Sequence, residues 1–390
     1  MVFMRGMRAP KERLLRMKHM RYRRILSLPR VLCAVLCTVS LLLALGACSP
    51  AETIKGWFGT KWADDKPYEN YDMEKYVKLG QYKGIEIQFT GQDEYLELYT
   101  MDLFAQYGAP MGLVADPAKT VVAKDDMAYF SFEGSAQGVS EEAQKGMKGK
   151  ALLIIGSGNF IPGFEDQMEG QPVGKEFTVK VTFPDPYQNS PELSGKEATF
   201  KCTVHALGVE SEKLTDEGVD ALTSGEYATL KAFQEMLLRD IAAQLPEMVA
   251  NYNMNTAFDA VYGTAEILEF PQKEQEYWDG QVAGLAESQG MGPEDFAQQN
   301  GYQSAADYVD EQVAHELVIY AIAQKEGLTI SEEDVTALLT EIRAGGYTGT
   351  DAELYSQFGG KGYLMRHLMR EKVTGFIYEN AKDSPAKAAE

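Results

Sequence analysis

Polar and apolar residues alternate with two different periods along this chain, and one gives way to the other near Glu210. Between 121 and 209 the period is two, as in half-buried strands. It predicts strands over 127–132, 151–155, 176–183 and 198–207. Breaks rich in Gly and Pro separate them: Gly156-Ser157-Gly158, Ile161-Pro162-Gly163, Phe183-Pro184-Asp185-Pro186 and Ser190-Pro191. In the last strand, ATFKCTVHAL, the alternation places Phe200, Cys202, Val204 and Ala206 on one side and Lys201, Thr203 and His205 on the other. Short strands at this spacing predict a small antiparallel sheet.

From Glu210 onward, apolar residues recur every three or four positions. Tyr227, Leu230, Phe233, Leu237, Ile241 and Leu245 form one helical face, which Pro246 is expected to end, and Val309, Val313, Leu317 and Tyr320 form another. Ser331 followed by Glu332, Glu333 and Asp334 reads as an N-cap with an acidic first turn. Together they predict an extended α-domain over 210–384, with more apolar face than one compact bundle needs, and a tail at 385–390. Upstream, 76–88 reads as strand–turn–strand with Gly84 at the turn, and 92–107 as a short helix. Residues 48–75 show no sustained period and read as a tether.

One stretch fits neither period. Residues 31–47, VLCAVLCTVSLLLALGA, carry no charge and follow a basic segment ending at Arg30. A basic region followed by an apolar one is the layout of a secretory signal. A membrane-spanning helix wants about twenty apolar residues, and this run is shorter. Its end, Leu45-Gly46-Ala47-Cys48, resembles a bacterial lipobox, which implies cleavage before Cys48 and diacylation of that residue. RYRRILSLPR alone suffices as the basic region, so Met1, Met17 and Met20 all stay open as the start.

Charge sharpens this division. The net charge is −21, yet residues 1–47 hold +9, which leaves −30 on the remainder. So acidic a body argues against a nucleic-acid partner, since phosphate binding needs clustered Lys and Arg. At 45% hydrophobic and 24% charged, the chain belongs to the folded class and is long enough for two or three domains. With Cys33 and Cys37 in the signal and Cys48 acylated, Cys202 is the one thiol left, and no intramolecular disulfide can form in the processed chain.

Several motifs lead nowhere. Gly156-Ser157-Gly158 lacks the third Gly of a dinucleotide fingerprint, because position 161 is Ile161, and no Gly-Lys-Ser/Thr follows. His315-Glu316 begins like a zinc-protease helix, but position 319 holds Ile319 where the second His belongs. The four histidines are scattered, so no metal site is expected.

Residues 155–183, IGSGNFIPGFEDQMEGQPVGKEFTVKVTF, carry the most specific signal. With Phe183-Pro184, Tyr187 and the run from Leu193 to Phe200, they resemble the FKBP-type peptidyl-prolyl isomerase domain in the version found in trigger factor. More weakly, YVKLGQYKGIEI resembles the trigger-factor segment before that domain, and the helices containing HELVIYAIAQKEGLTISEEDV resemble its chaperone domain. The resemblance implies an α+β fold: a small FKBP-like antiparallel sheet with a short helix, then an extended all-α chaperone domain. The expected domains are a signal peptide at 1–47, a tether at 48–75, a connector at 76–120, an isomerase domain at 121–209, a chaperone domain at 210–384 and the tail.

By resemblance, Phe132, Phe160, Ile161 and Phe164 occupy the proline-binding bowl, with the Ile161 N–H as donor and Tyr187 at the rim. Leu153, Ile155 and Cys202 would complete the pocket wall. An ordinary apolar core also accounts for some of these residues, Phe132 in particular. Phe164 stands where many members have Trp. Many also place a Phe-Asp or Phe-Glu pair in the loop before the 151 strand, where VSEEAQKGMKGK has Ala143 and Gln144 and no aromatic residue. The bowl is therefore expected to be wider and more open than usual.

Two functions from different classes fit. One is a membrane-anchored, extracytoplasmic foldase, both prolyl isomerase and chaperone for exported proteins. The other is a holdase whose isomerase-like domain grips clients with little or no turnover. The expected partners are unfolded or partly folded exported chains with X–Pro bonds, and the membrane through lipid at Cys48. The ribosome-docking domain of trigger factor is replaced by the anchor, so no ribosome partner is expected. No cofactor is implied, because rotation about an amide needs none.

Overall fold

A computed structural model describes residues 66–357 and 360–384. The expected signal peptide at 1–47, the lipidation site Cys48, the tether up to residue 65 and the tail at 385–390 lie outside the described residues. The chain divides into two compact units, one formed by 90–249 and the other by 66–89 together with 250–384.

In chain order the strands are β1 (Val77–Lys78), β2 (Glu86–Ile87), β3 (Leu113–Ala115), β4 (Met127–Ala136), β5 (Lys148–Ile154), β6 (Glu176–Thr182), β7 (Glu197–Glu210), β8 (Glu266–Ile267) and β9 (Lys382–Asp383). The helices are α1 (Gln92–Gln106), α2 (Glu141–Lys145), α3 (Asp216–Leu222), α4 (Leu230–Ile241), α5 (Leu245–Tyr262), α6 (Gln272–Ser288), α7 (Pro293–Gln299), α8 (Ala305–Glu326), α9 (Glu332–Ala344), α10 (Asp351–Gln357) and α11 (Lys361–Glu379).

The first unit is built on an antiparallel sheet in the order β3-β7-β4-β5, with β6 also pairing β7. Period-two alternation in β4 sends Ala128, Phe130 and Phe132 to one face and Met127 and Tyr129 to the other. The register slips between Tyr129 and Phe130, and there the alternation of β7 inverts. Phe200, Cys202 and Val204 share the first face, but the next residue on it is Leu207. Ala206, expected on that side, lies with Met127 and Leu152 on the other. That second face is covered by α3, whose buried Asp220 pairs with Lys150 Nζ at 2.5 Å and accepts from the Tyr129 hydroxyl. Beyond α3, Leu96, Phe104, Val219, Phe233 and Leu237 join α1, α3 and α4 in a small core.

Pro246 opens a helix rather than ending one. It sits in the first turn of α5, where a missing N–H costs nothing because that donor has no partner in the helix.

The second unit is organised around α8. From Val313 to Ala323 every residue of this helix is buried, as expected for a helix surrounded on all sides. Residues 66–89 pack on the same core, with Tyr68, Met73 and Val77 buried. Residues 66–75, read from sequence as the end of a tether, are therefore structural. The stretch 76–88 is not a hairpin: β1 pairs antiparallel with β8, and β2 pairs parallel with β9. Strands of two residues bury too little to hold each other, so each is fixed by pairing with a distant segment.

A charged cluster lies inside this unit. Arg366 pairs with Glu274 at 2.5 Å and with Glu316, and the Tyr68 hydroxyl donates to Glu316 at 3.1 Å. The guanidinium lies 4.0 Å from the Tyr277 ring centroid. Burial raises the Glu316 carboxyl above its ordinary value, with Arg366 opposing. Ser331 and Asp334 form a reciprocal capping box at the start of α9. Among the described residues, no helix is long and apolar enough to cross a membrane.

Candidate active site

The loop after β5 must turn sharply, and Gly156 and Gly158 supply left-handed backbone at φ +88° and +73°. Such a loop turns its amides inward, where they need acceptors. The acceptor is Glu165, buried at 6% exposure. Its Oε2 accepts from the Gly156 N–H at 2.8 Å and the Gly158 N–H at 3.1 Å, and its Oε1 accepts from the Phe160 N–H at 3.0 Å. Gln167 braces the next turn: its amide nitrogen donates to the carbonyls of Gly163 at 2.7 Å and Lys180 at 2.9 Å, and its Oε1 accepts from the Lys180 N–H at 3.0 Å.

These clamps set Phe160, Ile161 and Phe164 against the first face of the sheet. Phe160 and Phe164 have ring centroids 5.0 Å apart, and Phe160 meets Phe132 edge to face at 6.0 Å. Phe164 meets Phe200 at 5.3 Å, and Phe130 lies 5.5 Å from Phe160. Offset and edge-on contacts at these spacings are favourable for aromatic rings. Phe130, Phe164 and Phe200 are buried, while Phe132 and Phe160 are only half-buried.

Ile161 is 7% exposed, and among the described residues its backbone N–H donates to no other group. Leu153, Ile155 and Cys202 are buried in the same apolar cluster. In the register Cys202 lies opposite Phe132 on β4 and Phe177 on β6. Burial pushes the Cys202 thiol up to about 12, so it holds its proton at neutral pH and is no nucleophile. Tyr187 is half-buried, its ring 4.9 Å from Phe183 and its amide donating to Ser194 Oγ at 2.8 Å. Burial raises its phenol above the ordinary value. All the residues expected at the bowl thus adjoin one cluster; Cys48 lies outside the described residues.

The loop between β4 and β5 contains the short helix α2. Val139 and Ala143 rest against the cluster. Gln144 does not face the site as an acid would; its side chain donates to the Gly134 carbonyl at 3.0 Å.

Sequence reasoning missed the roles of Phe130, Phe200, Glu165 and Gln167. Phe130 was detectable as the residue two before Phe132 on the same strand face. Glu165 was detectable as the carboxylate following a loop whose glycines leave amides unsatisfied.

The sequence matches the family model of FKBP-type peptidyl-prolyl cis-trans isomerase over residues 118–205 and that of the bacterial trigger factor protein C-terminus over residues 229–379. It is 28% identical over 327 residues to the trigger factor of Halothermothrix orenii, spanning 79% of this chain and 73% of that protein. It is 31% identical over 323 residues to the trigger factor of Geobacillus sp. strain WCH70, spanning 78% of this chain and 72% of that protein. The chain belongs to the trigger factor family. A solved trigger factor chaperone structure aligns over 78% of this chain and 72% of its own, at 16% identity and a TM-score of 0.27.

As a trigger factor relative, the chain is a chaperone carrying a peptidyl-prolyl isomerase domain. Rotation about a peptide bond has a barrier of ~18–20 kcal/mol, and its transition state is a twisted amide that has lost resonance. Lowering that barrier needs neither nucleophile nor metal. The twisted amide carries less charge on its carbonyl oxygen than the planar one, so an apolar bowl that strips water from it favours the transition state. Rigid rings hold the proline, and a free N–H holds a carbonyl of the bound peptide in place. The rings of Phe132, Phe160 and Phe164 and the Ile161 amide suit these tasks.

Proposed function

We propose that the protein is a lipid-anchored foldase on the outer face of the cell membrane, isomerising X–Pro bonds in exported chains and holding them while they fold. The lipobox at Leu45-Gly46-Ala47-Cys48, after a basic and then an apolar segment, supports the anchor and the compartment. The aromatic bowl with its unengaged Ile161 amide supports catalysis and carries the reading. Each buried methylene of an acyl chain adds ~0.8 kcal/mol, so two or more chains on Cys48 hold firmly.

Mass spectrometry of the amino-terminal peptide from membranes is expected to find diacylglyceryl on Cys48, and Cys48→Ser is expected to abolish processing and membrane retention. An unmodified Cys48 thiol would sink the anchor. Turnover is read with protease-coupled X–Pro peptides on the full chain in detergent, and a rate equal to background would remove the catalytic half. Chaperone action is read as suppressed aggregation of a denatured client. That assay also needs the full chain, because Tyr68, Met73 and Val77 complete the helical core.

One observation favours a second reading. With Val139 and Ala143 in place of an aromatic wall, the bowl grips a proline less completely. In that case slow turnover accompanies undiminished aggregation suppression, and the isomerase domain serves mainly as a client grip.

A further inference from the structure

The α2 loop carries no aromatic residue, yet it is tied down. Ser140, the N-cap of α2, accepts from the Ala143 N–H at 3.2 Å. Its own N–H and hydroxyl donate to the two oxygens of Glu192, each at 2.7 Å. Lys196 Nζ donates to the Gly138 carbonyl in the same loop. Glu192 sits in the turn Pro191–Leu193, whose Leu193 is buried in the cluster under the bowl. The following residue, Ser194, accepts from the Tyr187 amide. One short segment therefore grips the α2 loop with Glu192 and Lys196 and the Tyr187 segment with Ser194. Hydrogen bonds from Ser140 hold the Glu192 carboxyl below its usual range, as for a carboxylate with two donors.

We infer that Ser140 and Glu192 are positioning residues of the isomerase site, forming a strap that makes the α2 loop a wall of the bowl and sets selectivity for the residue preceding proline. The inference rests on residues 121–209 working as a prolyl isomerase. Val139 and Ala143 are small, and they fill a wall only if the loop carrying them is held in place. Both strap residues are exposed at the rim and contribute no surface to the proline pocket itself. Where the segment before a bound proline passes this loop, a loop held inward offers a large apolar residue contact with Val139 and Ala143, and a loose loop does not.

The test uses the full chain in detergent, with Ser140→Ala, Glu192→Gln and the double variant. Equilibrium binding of labelled Phe-Pro and Ala-Pro peptides is read by fluorescence anisotropy, and hydrogen exchange by mass spectrometry over 137–145. Each single variant is expected to weaken Phe-Pro binding about threefold to fivefold, the scale of an exposed charge-assisted contact, and Ala-Pro binding by less, so that the ratio of the two affinities falls. Exchange over 137–145 should accelerate, and the double variant should lose less than the sum of the single ones, because both weaken one contact, of which Ser140→Ala leaves the backbone N–H bond to Glu192. Unchanged exchange, additive losses, or an unchanged ratio of the two affinities would each overturn the strap. Because binding is read without turnover, a parent that binds both peptides but isomerises neither overturns the catalytic reading alone.

Discussion

Three backbone amides of the loop after β5 converge on Glu165. It accepts from the Gly156, Gly158 and Phe160 amides at 2.8, 3.1 and 3.0 Å. Glu165→Gln keeps the shape but removes the charge and one acceptor oxygen. Hydrogen bonds to charged groups contribute ~1.5–3 kcal/mol each, against ~0.5–1.5 for neutral ones, so the difference is ~1 kcal/mol per bond and ~3 kcal/mol for three. At ~1.4 kcal/mol per decade, exchange at these amides should accelerate about a hundredfold. Hydrogen exchange of peptides spanning 155–162 measures it directly. Turnover should fall as well, because Phe160 and the Ile161 amide are presented by the same loop. Rescue is expected from Glu165→Asp only in part, since the shorter carboxylate reaches fewer of the three donors. If exchange over 155–162 in the Gln variant stays within twofold of the parent, the loop is held by something other than this carboxylate and the reasoning fails.

Other expectations follow from burial and charge. Phe164 is 1% exposed and touches three other rings, so Phe164→Ala should cost ~3–5 kcal/mol and abolish turnover, seen as a lowered unfolding midpoint of the isomerase unit. Arg366→Leu leaves Glu274 and Glu316 buried without their cation, a loss of ~3–5 kcal/mol that Trp278 fluorescence in urea should report. Adding Glu274→Gln and Glu316→Gln should restore part of it. The Cys202 thiol keeps its proton when folded up to about 12. The unfolded thiol ionises near ~8.5, so this contribution is intact below that pH and is lost progressively up to the folded value. Alkylation of Cys202 at pH 8 should therefore require unfolding, and rapid labelling of the native protein would contradict its burial.

The sheet of the first unit was legible because its residues obey one local rule. Phe130 to Phe132 and Phe200 to Val204 alternate strictly, and glycine and proline mark the ends. Ala206 broke the reading because a slipped register inverts the faces without any sign in composition. Pro246 misled for a related reason: proline ends one helix and begins the next with equal ease, and only packing decides between them. Residues 66–89 were illegible in a deeper sense. Tyr68 and Met73 follow no period, and β1 and β2 find their partners only beyond residue 260. The bowl's walls were readable from the motif, whereas Glu192, which acts through the amide and hydroxyl of Ser140, leaves a trace only once the loop it holds is seen.

The pairing of Glu86 with Lys382 sets an order in time. The isomerase unit has all its strands once residue 249 has emerged, but the helical unit waits for Asp383, the end of β9. At a synthesis rate of about 5–20 residues per second the lag is about 7 to 27 s. Unaided X–Pro isomerisation takes tens of seconds or more, so the two clocks are comparable. The helical unit is thus closed by segments from both ends of its sequence, Glu86–Ile87 and Lys382–Asp383.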